Sequence, residues 1–308
     1  MLKDDYKKAI LAIGDNVCDK YLSRGKMYPG GQCVNTCAYV AMHGMKAAYI
    51  GKFGNDAVAL CVQNTLKKLN VDFSHSKHFE GENGFACITL VNGDRTFIGT
   101  NHGGVAQNHA YGFTQDDWKY IRNFALIYTN LNAYLEDELP QVAAQGVPIA
   151  FDFSNRWTDE YLTRICPFIK IAIMSCAHLA DSARNIEMEK VAKFGVPLVL
   201  GTVGEAGSYL LYQGKTYYTE AVSAENVFDT MGAGDSYFAT FLCSLLQAGV
   251  LDQILKNRNS DFSRELCEAM REGARFAAKI CCIEGAFGYG EPIQGRVIDN
   301  RINAQEVT

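Results

Sequence analysis

The segment DTMGAGD at residues 229–235 combines a glycine-rich turn with a carboxylate. The apolar residues that follow are spaced along one face of a helix, so the N–H groups of Gly232, Ala233 and Gly234 would lie at a helix N-terminus, where anions bind. A carboxylate there repels a phosphate unless it takes part in the chemistry. Asp235 therefore suggests a general base that takes the proton of a hydroxyl attacking a bound phosphoryl group. Asp235 could instead only cap the helix, and these residues alone leave both interpretations open.

A second glycine pair, Gly30 and Gly31, precedes a predicted helix that carries Asn35 in its first turn. Adjacent glycines let a backbone come close to a ligand, and an asparagine amide can both donate to and accept from a polyol. A flexible turn with a capping asparagine would show the same residues. The chain has no G-x-x-x-x-G-K-[ST] motif and no G-x-G-x-x-G motif after its first predicted strand. The protein is therefore not a P-loop enzyme.

Composition and charge narrow the class of protein. The 308 residues are 48% hydrophobic, and 29 basic against 34 acidic residues give a net charge of −5. No basic block is denser than Lys67-Lys68, which disfavours binding to nucleic acid or to an anionic membrane. Apolar stretches such as residues 237–246 are about half as long as the ~20 residues of a membrane-spanning helix. With no signal-peptide pattern and no C-x-x-C pair among eleven cysteines, we expect a cytoplasmic protein with free thiols.

Short apolar runs alternate with helix-like stretches along most of the chain. This pattern predicts βαβ units in an α/β fold, with a mostly parallel sheet that is covered on both faces. The predicted strands are residues 10–13, 47–50, 125–128, 149–153, 169–174 and 198–201. The predicted helices include residues 34–42, 56–69, 135–144 and 236–248.

One region breaks this alternation. Residues 85–91 and 95–99 are strand-like and flank Asn92-Gly93, a dipeptide that favours a tight hairpin turn. A hairpin does not fit a parallel sheet, so we expect a small antiparallel sheet that acts as a lid. We predict one domain at residues 1–290, with the lid from about residues 19–31 and 82–102, and a polar C-terminal tail at 291–308. A second hairpin is predicted at residues 208–219.

Together these motifs resemble those of the ribokinase-like (PfkB) carbohydrate kinases. Residues 229–235 resemble that family's D-T-x-G-A-G-D signature. Gly30-Gly31 with Asn35, followed by GKFGND at residues 51–56, resemble its N-terminal signature. The two motifs have the family's order and separation, and the resemblance covers roughly residues 10–290. It implies a three-layer α/β/α fold with a small β lid, and transfer of the γ-phosphate of ATP to a sugar hydroxyl.

The resemblance also implies roles for individual residues. Asp235 would be the base, and the amides of Gly232, Ala233 and Gly234 would stabilise charge on the transferring phosphate. The sugar pocket would be formed by Asp19, Gly30, Gly31 and Asn35. The nucleotide loop T-x-G-x-x-G would be Thr202, Gly204 and Gly207. Asp229 would help to hold a monovalent cation such as K⁺, Mg²⁺ would accompany ATP, and the lid would close the site and pair two subunits in a homodimer.

The sequence departs from the family at two places. The usual N-x-x-E reads SCAH at residues 175–178, so magnesium would depend on water and on other residues. Residues 152–157, DFSNRW, resemble a D-x-N-x-R-x-x-W-like segment of sugar-acid kinases, with Ser154 in the asparagine position and Trp157 directly after Arg156. Arg156 would contact a phosphate or a substrate carboxylate, or would only stack on Trp157 at the surface.

The acceptor sugar is the least determined part of the prediction. Several segments are most similar to the fructoselysine 6-kinases of this family, which phosphorylate the primary hydroxyl of a fructosamine. Asp15, an additional acidic residue near Asp19, would suit a substrate that carries an ammonium group. The alternatives are a kinase for fructose, ribose, 2-keto-3-deoxygluconate or a nucleoside, a sugar-binding protein without catalysis, and a structural α/β protein.

Overall fold

The computed structural model describes residues 8–91, 94–256 and 260–299. In chain order the strands are β1 (Ile10–Gly14), β2 (Val17–Tyr21), β3 (Lys26–Gly30), β4 (Ala47–Phe53), β5 (Lys77–His78), β6 (Gly84–Val91), β7 (Asp94–Thr100), β8 (Leu126–Asn130), β9 (Ile149–Asp152), β10 (Ile171–Ser175), β11 (Leu198–Thr202), β12 (Ser208–Tyr212), β13 (Lys215–Thr219) and β14 (Glu291–Pro292). The helices are α1 (Gln32–Met42), α2 (Ala57–Lys68), α3 (Val105–Asn108), α4 (Gln115–Ile121), α5 (Leu139–Ala143), α6 (Asp159–Ile165), α7 (Asp181–Lys193), α8 (Ala233–Gln247), α9 (Leu251–Lys256) and α10 (Ser263–Ile280).

A nine-stranded sheet forms the centre of the molecule, in the order β13-β12-β11-β10-β9-β8-β1-β4-β5. The strands from β11 to β5 pair in parallel, and β12 and β13 complete one edge as an antiparallel hairpin. Because parallel strands all end at the same edge of a sheet, the loops after β1, β8, β9 and β11 lie along one edge.

Apolar residues fill both faces of this sheet. On β1, Ile10 and Ala12 belong to the core shared with α1, α2, α8 and α10. Leu11 and Ile13 on the same strand belong to the opposite core, with α4, α5, α6 and α7. A strand buried on both faces is typical of a parallel sheet between helical layers. This confirms the predicted three-layer α/β fold. Within the described ranges no helix combines the length and apolar character needed to cross a membrane.

A second sheet, hereafter the small sheet, has the order β14-β3-β2-β6-β7. Its pairs are antiparallel except for β2 with β6, which run in parallel. Strands β6 and β7 form the expected hairpin, with Val91 paired to Asp94. The predicted turn at Asn92-Gly93 lies outside the described residues.

The first part of the predicted C-terminal tail packs against the small sheet. Strand β14 pairs with β3. Lys20, which is fully buried, donates from Nζ to the carbonyl oxygens of Gln294 at 2.8 Å and Arg296 at 2.7 Å. Its ammonium also lies 4.1 Å from the centre of the Phe85 ring. A buried ammonium requires such acceptors, so residues 294–296 and Lys20 stabilise each other.

We predict that Lys20→Met loosens residues 293–299. Methionine retains most of the apolar stem but donates no hydrogen bond to the two carbonyls, and hydrogen bonds from charged groups contribute about 1.5–3 kcal/mol each. Trypsin should therefore cleave after Arg296 about tenfold faster or more, which limited proteolysis with mass spectrometry measures. The control is Lys26→Met, because Lys26 is half-exposed and pairs with Glu284 instead. Equal cleavage rates in both variants and the wild type would contradict this role of Lys20.

Candidate active site

A cavity of about 1120 Å³ lies between the carboxyl ends of the central strands and the small sheet. We call it the central cavity. Six of the residues predicted from the sequence line it: Asp15, Asp19, Gly31, Asn35, Arg156 and Asp235. The small sheet contributes a wall that includes Ala86, Thr89, Phe97 and Ile98. The structure thus brings together residues from distant parts of the sequence around one space that is accessible to a ligand.

Asp235 lies in the first turn of α8 and faces the central cavity. Asn35 of α1 donates from Nδ2 to Asp235 Oδ2 at 2.6 Å. Burial raises the pKa of Asp235 to about 6, although the Asn35 hydrogen bond favours the charged form and opposes part of this rise. A carboxylate with a pKa near neutrality can both accept a proton and release it again.

The other end of the Asn35 amide has no protein partner. Its Oδ1 is buried and has no hydrogen-bond partner in the structure, whereas its Nδ2 is held by Asp235. Leaving a buried acceptor unpaired costs free energy, so such an atom in a cavity wall suits a ligand hydroxyl.

The glycine turn before α8 depends on close packing. Gly232 has a φ of 74°, in the left-handed region, and a Cβ at this position would overlap the hydroxyl oxygen of Tyr39. Tyr39 in turn donates to the Ala286 carbonyl at 2.6 Å. Both the φ angle and the packing require glycine here. Within the turn, the Ala233 N–H donates to the Thr230 carbonyl at 3.3 Å.

Asp15 binds the N-terminus of α1. Its Oδ2 accepts from the Gln32 N–H at 2.9 Å, and its Oδ1 accepts from the Cys33 N–H at 3.0 Å. Asn130 donates to the same Oδ1 from Nδ2 at 2.7 Å. The helix N-terminus therefore stabilises the charge of this buried carboxylate. Asp15 lines the central cavity with both oxygens already accepting hydrogen bonds.

Asp19 lies on β2 and is buried at the cavity wall. A Cβ at Gly30, on the neighbouring strand β3, would lie 2.8 Å from Asp19 Oδ2. Glycine at position 30 therefore leaves room for the Asp19 carboxylate.

Sequence reasoning missed a buried carboxylate at the end of β9. Asp152 is 1% exposed, and its Oδ2 accepts from Gln32 Nε2 at 2.9 Å and from the Tyr128 hydroxyl at 3.1 Å. Its Oδ1 accepts from the Ser154 N–H at 2.7 Å. Burial raises the pKa of Asp152 to about 8, and the nearby charge of Asp235 adds to the rise.

A chain of polar side chains connects Asp152 to Arg156. Gln32 donates to Asp152 and accepts through Oε1 from Asn132 Nδ2 at 3.2 Å. Asn132 Oδ1 accepts from the Arg156 guanidinium at 2.5 Å. Gln32 and Asn132 line the central cavity, and neither was predicted from the sequence. Amide side chains that bind a ligand have no characteristic spacing in a sequence. The position of Gln32 directly after Gly31 was the one signal that could have indicated it, and Asn132 had none.

Arg156 is exposed and faces the central cavity. The adjacent Trp157 faces another way, because its Nε1 donates to Glu187 at 3.0 Å and its ring lies 5.6 Å from that of His178. This arrangement favours a ligand-binding role of Arg156 over simple stacking on Trp157.

The predicted nucleotide loop is at the end of β11. Thr202, Gly204 and Gly207 lie at the same edge of the sheet as the central cavity but are not part of its wall. A Cβ at Gly207 would overlap the Thr219 carbonyl oxygen. In the part of the chain that the structure describes, no group of three or more His, Cys, Asp and Glu side chains could hold a metal ion.

Asp229, which the resemblance assigned to a monovalent cation, accepts hydrogen bonds with both of its carboxylate oxygens. Its Oδ2 accepts from the Tyr21 hydroxyl at 2.7 Å and from the Gly285 N–H at 3.2 Å, and its Oδ1 accepts from the Met231 N–H at 3.0 Å. An Arg24 guanidinium nitrogen lies 3.8 Å from Oδ2.

Comparisons with known proteins identify the family to which the chain is similar. The family model described as "pfkB family carbohydrate kinase" matches residues 7–287. The fructosamine kinase FrlD of Bacillus subtilis (strain 168) is 35% identical over 285 residues, covering 92% of this chain and 94% of that protein. The fructoselysine 6-kinase of Escherichia coli (strain K12) is 29% identical and covers 80% of this chain and 93% of its own.

Solved structures share the fold at low sequence identity. A fructokinase from Xylella fastidiosa with bound ATP has a TM-score of 0.76 at 16% identity, covering 92% of this chain and 95% of that one. The Arabidopsis thaliana ribokinase complexed with ribose and ATP has a TM-score of 0.74 at 17% identity and covers 98% of both chains.

We predict that Asp152 destabilises the fold as the pH rises. Its pKa of about 8 exceeds the ordinary value of an aspartate, ~3.9, so between these limits the native state keeps a proton that the unfolded state has lost. The contribution of this group to the free energy of unfolding therefore falls as the pH rises. Asp152→Asn lacks this titration, so the free energy of unfolding of the variant, relative to that of the wild type, should rise by about 1 kcal/mol or more from pH ~5 to pH ~8. Urea unfolding of both proteins measures this difference.

The control for this experiment is Asp116→Asn. Asp116 is exposed and pairs with Lys119, which holds the pKa of Asp116 below its usual range, so its titration ends well below pH ~5. Its stability difference from the wild type should stay constant over the same range. A constant difference for Asp152→Asn as well would show that Asp152 does not retain its proton.

Proposed function

The chain belongs to the pfkB family of carbohydrate kinases, and on this premise we propose that it transfers the γ-phosphate of ATP to the primary hydroxyl of a fructosamine such as fructoselysine. The observation that carries the mechanism is the pair formed by Asp235 and Asn35 in the central cavity, directly after a glycine turn. The choice of acceptor is supported by the relatives named fructosamine kinase and fructoselysine 6-kinase, at 35% and 29% identity.

In the proposed mechanism Asp235 is the general base. Its carboxylate takes the proton of the attacking sugar hydroxyl as the new O–P bond forms and the bond to the leaving ADP oxygen breaks. Asn35 holds one carboxylate oxygen in place, and its unpartnered Oδ1 accepts a hydrogen bond from the sugar. The amides of Gly232, Ala233 and Gly234 stabilise the negative charge of the transferring group.

We assign the remaining sugar contacts to the carboxylates and glycines of the cavity wall. Asp19 accepts hydrogen bonds from sugar hydroxyls, and Gly30 and Gly31 let the sugar approach the backbone. Asp15 accepts from the sugar or from the substrate ammonium through lone pairs that its helix and Asn130 hydrogen bonds leave available.

ATP with its magnesium is assigned to the loop of Thr202, Gly204 and Gly207. This loop is at the same edge of the central sheet as Asp235, so phosphates could extend from it toward the glycine turn. The small sheet covers the other side of the central cavity, where closure would keep water from competing as an acceptor. Strand β7 is the outer strand of the small sheet in the described residues and exposes Phe97, which is where we propose that two subunits pair.

Arg156 is the residue that we assign to the amino-acid part of the substrate. A fructosamine of an amino acid differs from fructose by an amine and a carboxylate, and the central cavity, at about 1120 Å³, exceeds the needs of a hexose alone. The Arg156 guanidinium is held at the wall by Asn132 and remains exposed, so it can form a bidentate pair with a carboxylate.

We predict that Asp235→Asn lowers kcat by about 10²- to 10⁴-fold while ATP binding is retained, because the variant keeps the size of the side chain but removes the base. In the wild type, kcat/KM should fall as the pH drops below about 6, where Asp235 becomes protonated.

A coupled ADP-release assay with fructoselysine, fructose, ribose, adenosine and 2-keto-3-deoxygluconate measures turnover, and the thermal shift with Mg·ATP measures binding. Asp137→Asn, at an exposed carboxylate, is the control. Turnover of Asp235→Asn near that of the wild type would contradict the assigned role.

We predict that Arg156→Gln raises KM for fructoselysine about tenfold with little change in kcat. The same ketoamine without its carboxylate, fructosyl-cadaverine, should be affected much less, because it lacks the partner of the guanidinium. Arg164→Gln is the matched control, since Arg164 is exposed and pairs with Asp137 away from the cavity. An equal rise in KM for both ketoamines would show that Arg156 does not recognise the carboxylate.

A further inference from the structure

Asn16 lies in the connection between β1 and β2 and belongs to the wall of the central cavity. The residue is 2% exposed. Its amide nitrogen Nδ2 donates to the Tyr49 hydroxyl at 2.9 Å and to the Lys52 carbonyl at 3.0 Å. Its amide oxygen Oδ1 is buried and has no hydrogen-bond partner among the described residues. Leaving a buried acceptor unpaired costs free energy, so an atom of this kind in a cavity wall indicates a ligand that donates a hydrogen.

The two acceptors determine which end of the Asn16 amide is unpaired. The Lys52 carbonyl oxygen can only accept. The Tyr49 hydroxyl donates its own hydrogen to the Gly14 carbonyl at 2.8 Å, so it also accepts from Asn16. A rotated amide would direct its oxygen at the Lys52 carbonyl oxygen and would lose both hydrogen bonds. The unpaired atom is therefore the oxygen.

The backbone on either side of this amide is fixed as well. The Asn16 carbonyl accepts from Asn83 Nδ2 at 3.3 Å. Gly31 packs so closely against this connection that a Cβ there would lie 3.2 Å from Asn16 Cα. An acceptor held in this way loses little conformational freedom when a ligand binds to it.

The neighbouring residue in the same wall, Asp15, has the negative charge that Asn16 lacks. Its Oδ2 accepts from the Gln32 N–H at 2.9 Å, and a carboxylate oxygen can accept from a second donor. A Cβ at Gly31 would lie 3.0 Å from this Oδ2, so both acceptor residues adjoin the same glycine. A charged and a neutral acceptor side by side match a cationic group with two hydrogens. A secondary ammonium is such a group, whereas a sugar hydroxyl is uncharged and has one hydrogen.

We propose that Asn16 determines the specificity of this kinase for an amine: its Oδ1 accepts one hydrogen of the secondary ammonium of a fructosamine, while Asp15 accepts the other. This inference rests on the proposed function and deepens it. Fructose has a single hydroxyl hydrogen in place of the ammonium, so it leaves one of the two acceptors unpaired. Unpaired buried polar groups are an effective basis for rejecting an analogue that lacks a donor.

The test uses two synthetic sugars that differ at the amine alone. The first is 1-butylamino-1-deoxyfructose, which carries the secondary ammonium, and the second is 1-O-butylfructose, which has an ether oxygen without a hydrogen. Neither has a carboxylate for Arg156. A coupled ADP-release assay at fixed Mg·ATP gives the ratio of their kcat/KM values, hereafter the amine preference. For the wild type we expect an amine preference of about 100-fold or more.

Two variants of Asn16 separate recognition from structure. Asn16→Ala removes the acceptor and should lower the amine preference about tenfold or more. Asn16→Asp also loses the hydrogen bonds of Nδ2 to Tyr49 and Lys52 but keeps an acceptor oxygen, so its amine preference should remain within about threefold of the wild type or rise. Asn123→Ala, at an exposed asparagine outside the cavity wall, is the control and should change nothing.

A purely structural role of Asn16 would lower kcat/KM for both sugars to the same extent. The proposal is overturned if Asn16→Ala has the amine preference of the wild type, or if Asn16→Ala and Asn16→Asp lose it equally. If neither variant folds, the wild type decides with a third sugar, 1-(N-methylbutylamino)-1-deoxyfructose, which keeps the charge but has one N–H. Its kcat/KM should be about tenfold below that of the secondary amine, and equal values would overturn the proposal.

Failure of this inference can be told apart from failure of the proposed function. If the wild type phosphorylates neither fructoselysine nor the butylamino sugar, the fructosamine kinase assignment is wrong and the inference is overturned with it. If the wild type phosphorylates fructoselysine while Asn16→Ala keeps the full amine preference, the role of Asn16 alone is wrong.

Discussion

The arrangement of the site depends on the cost of burying several carboxylates around one cavity. Asp15, Asp152, Asp229 and Asp235 each lose water, and the chain stabilises each of them differently. Asp15 accepts from the N-terminus of α1. Asp229 accepts from Tyr21, Gly285 and Met231 and lies 3.8 Å from an Arg24 guanidinium nitrogen. Asp152 is fully buried, and its raised pKa of about 8 keeps it protonated near neutral pH. Asp235, with a pKa of about 6, is left ionised at neutral pH yet able to take a proton. Environments that separate the pKa values of neighbouring acids are how one site obtains both structural and reactive carboxylates.

Rigid elements position Asp235, which we propose as the base, and the small sheet provides a wall of the central cavity. Helix α8 packs in the core with α1 and α10, and Asp235 and Asn35 extend from the first turns of two of these helices toward the cavity. Their 2.6 Å hydrogen bond therefore links two packed helices, which fixes the carboxylate more precisely than a loop would. The small sheet adds Arg24, Asp19 and the wall around Phe97.

The sequence predicted the fold class and the strands of the central sheet other than β5, because parallel strands and amphipathic helices leave periodic patterns in the chain. Glycine-rich turns followed by Asp or Asn are local signals, and they indicated Gly31, Asn35 and Asp235. The family resemblance indicated the other three predicted residues that line the central cavity, which are Asp15, Asp19 and Arg156. Asn35 and Asp235 are 200 residues apart, and no local pattern could show that they bond to each other. The contacts of Lys20 and Arg24 could not be predicted for the same reason, because Gln294 and Asp229 are each more than 200 residues away in the sequence. The packing of residues 291–299 could not be predicted from their polar composition. The buried Lys20 donates hydrogen bonds to backbone carbonyls of this segment, and backbone groups leave no pattern in a sequence.

The pairing of β3 with β14 has a consequence for the order of folding. This contact joins residues near Lys26 to Pro292, so almost the whole chain forms the loop that it closes. During synthesis the central sheet can assemble from neighbouring βαβ units and β3 can pair with β2, whereas the other edge of β3 stays unpaired until β14 has left the ribosome. The small sheet is therefore completed last, when α8 with Asp235 has already been synthesised.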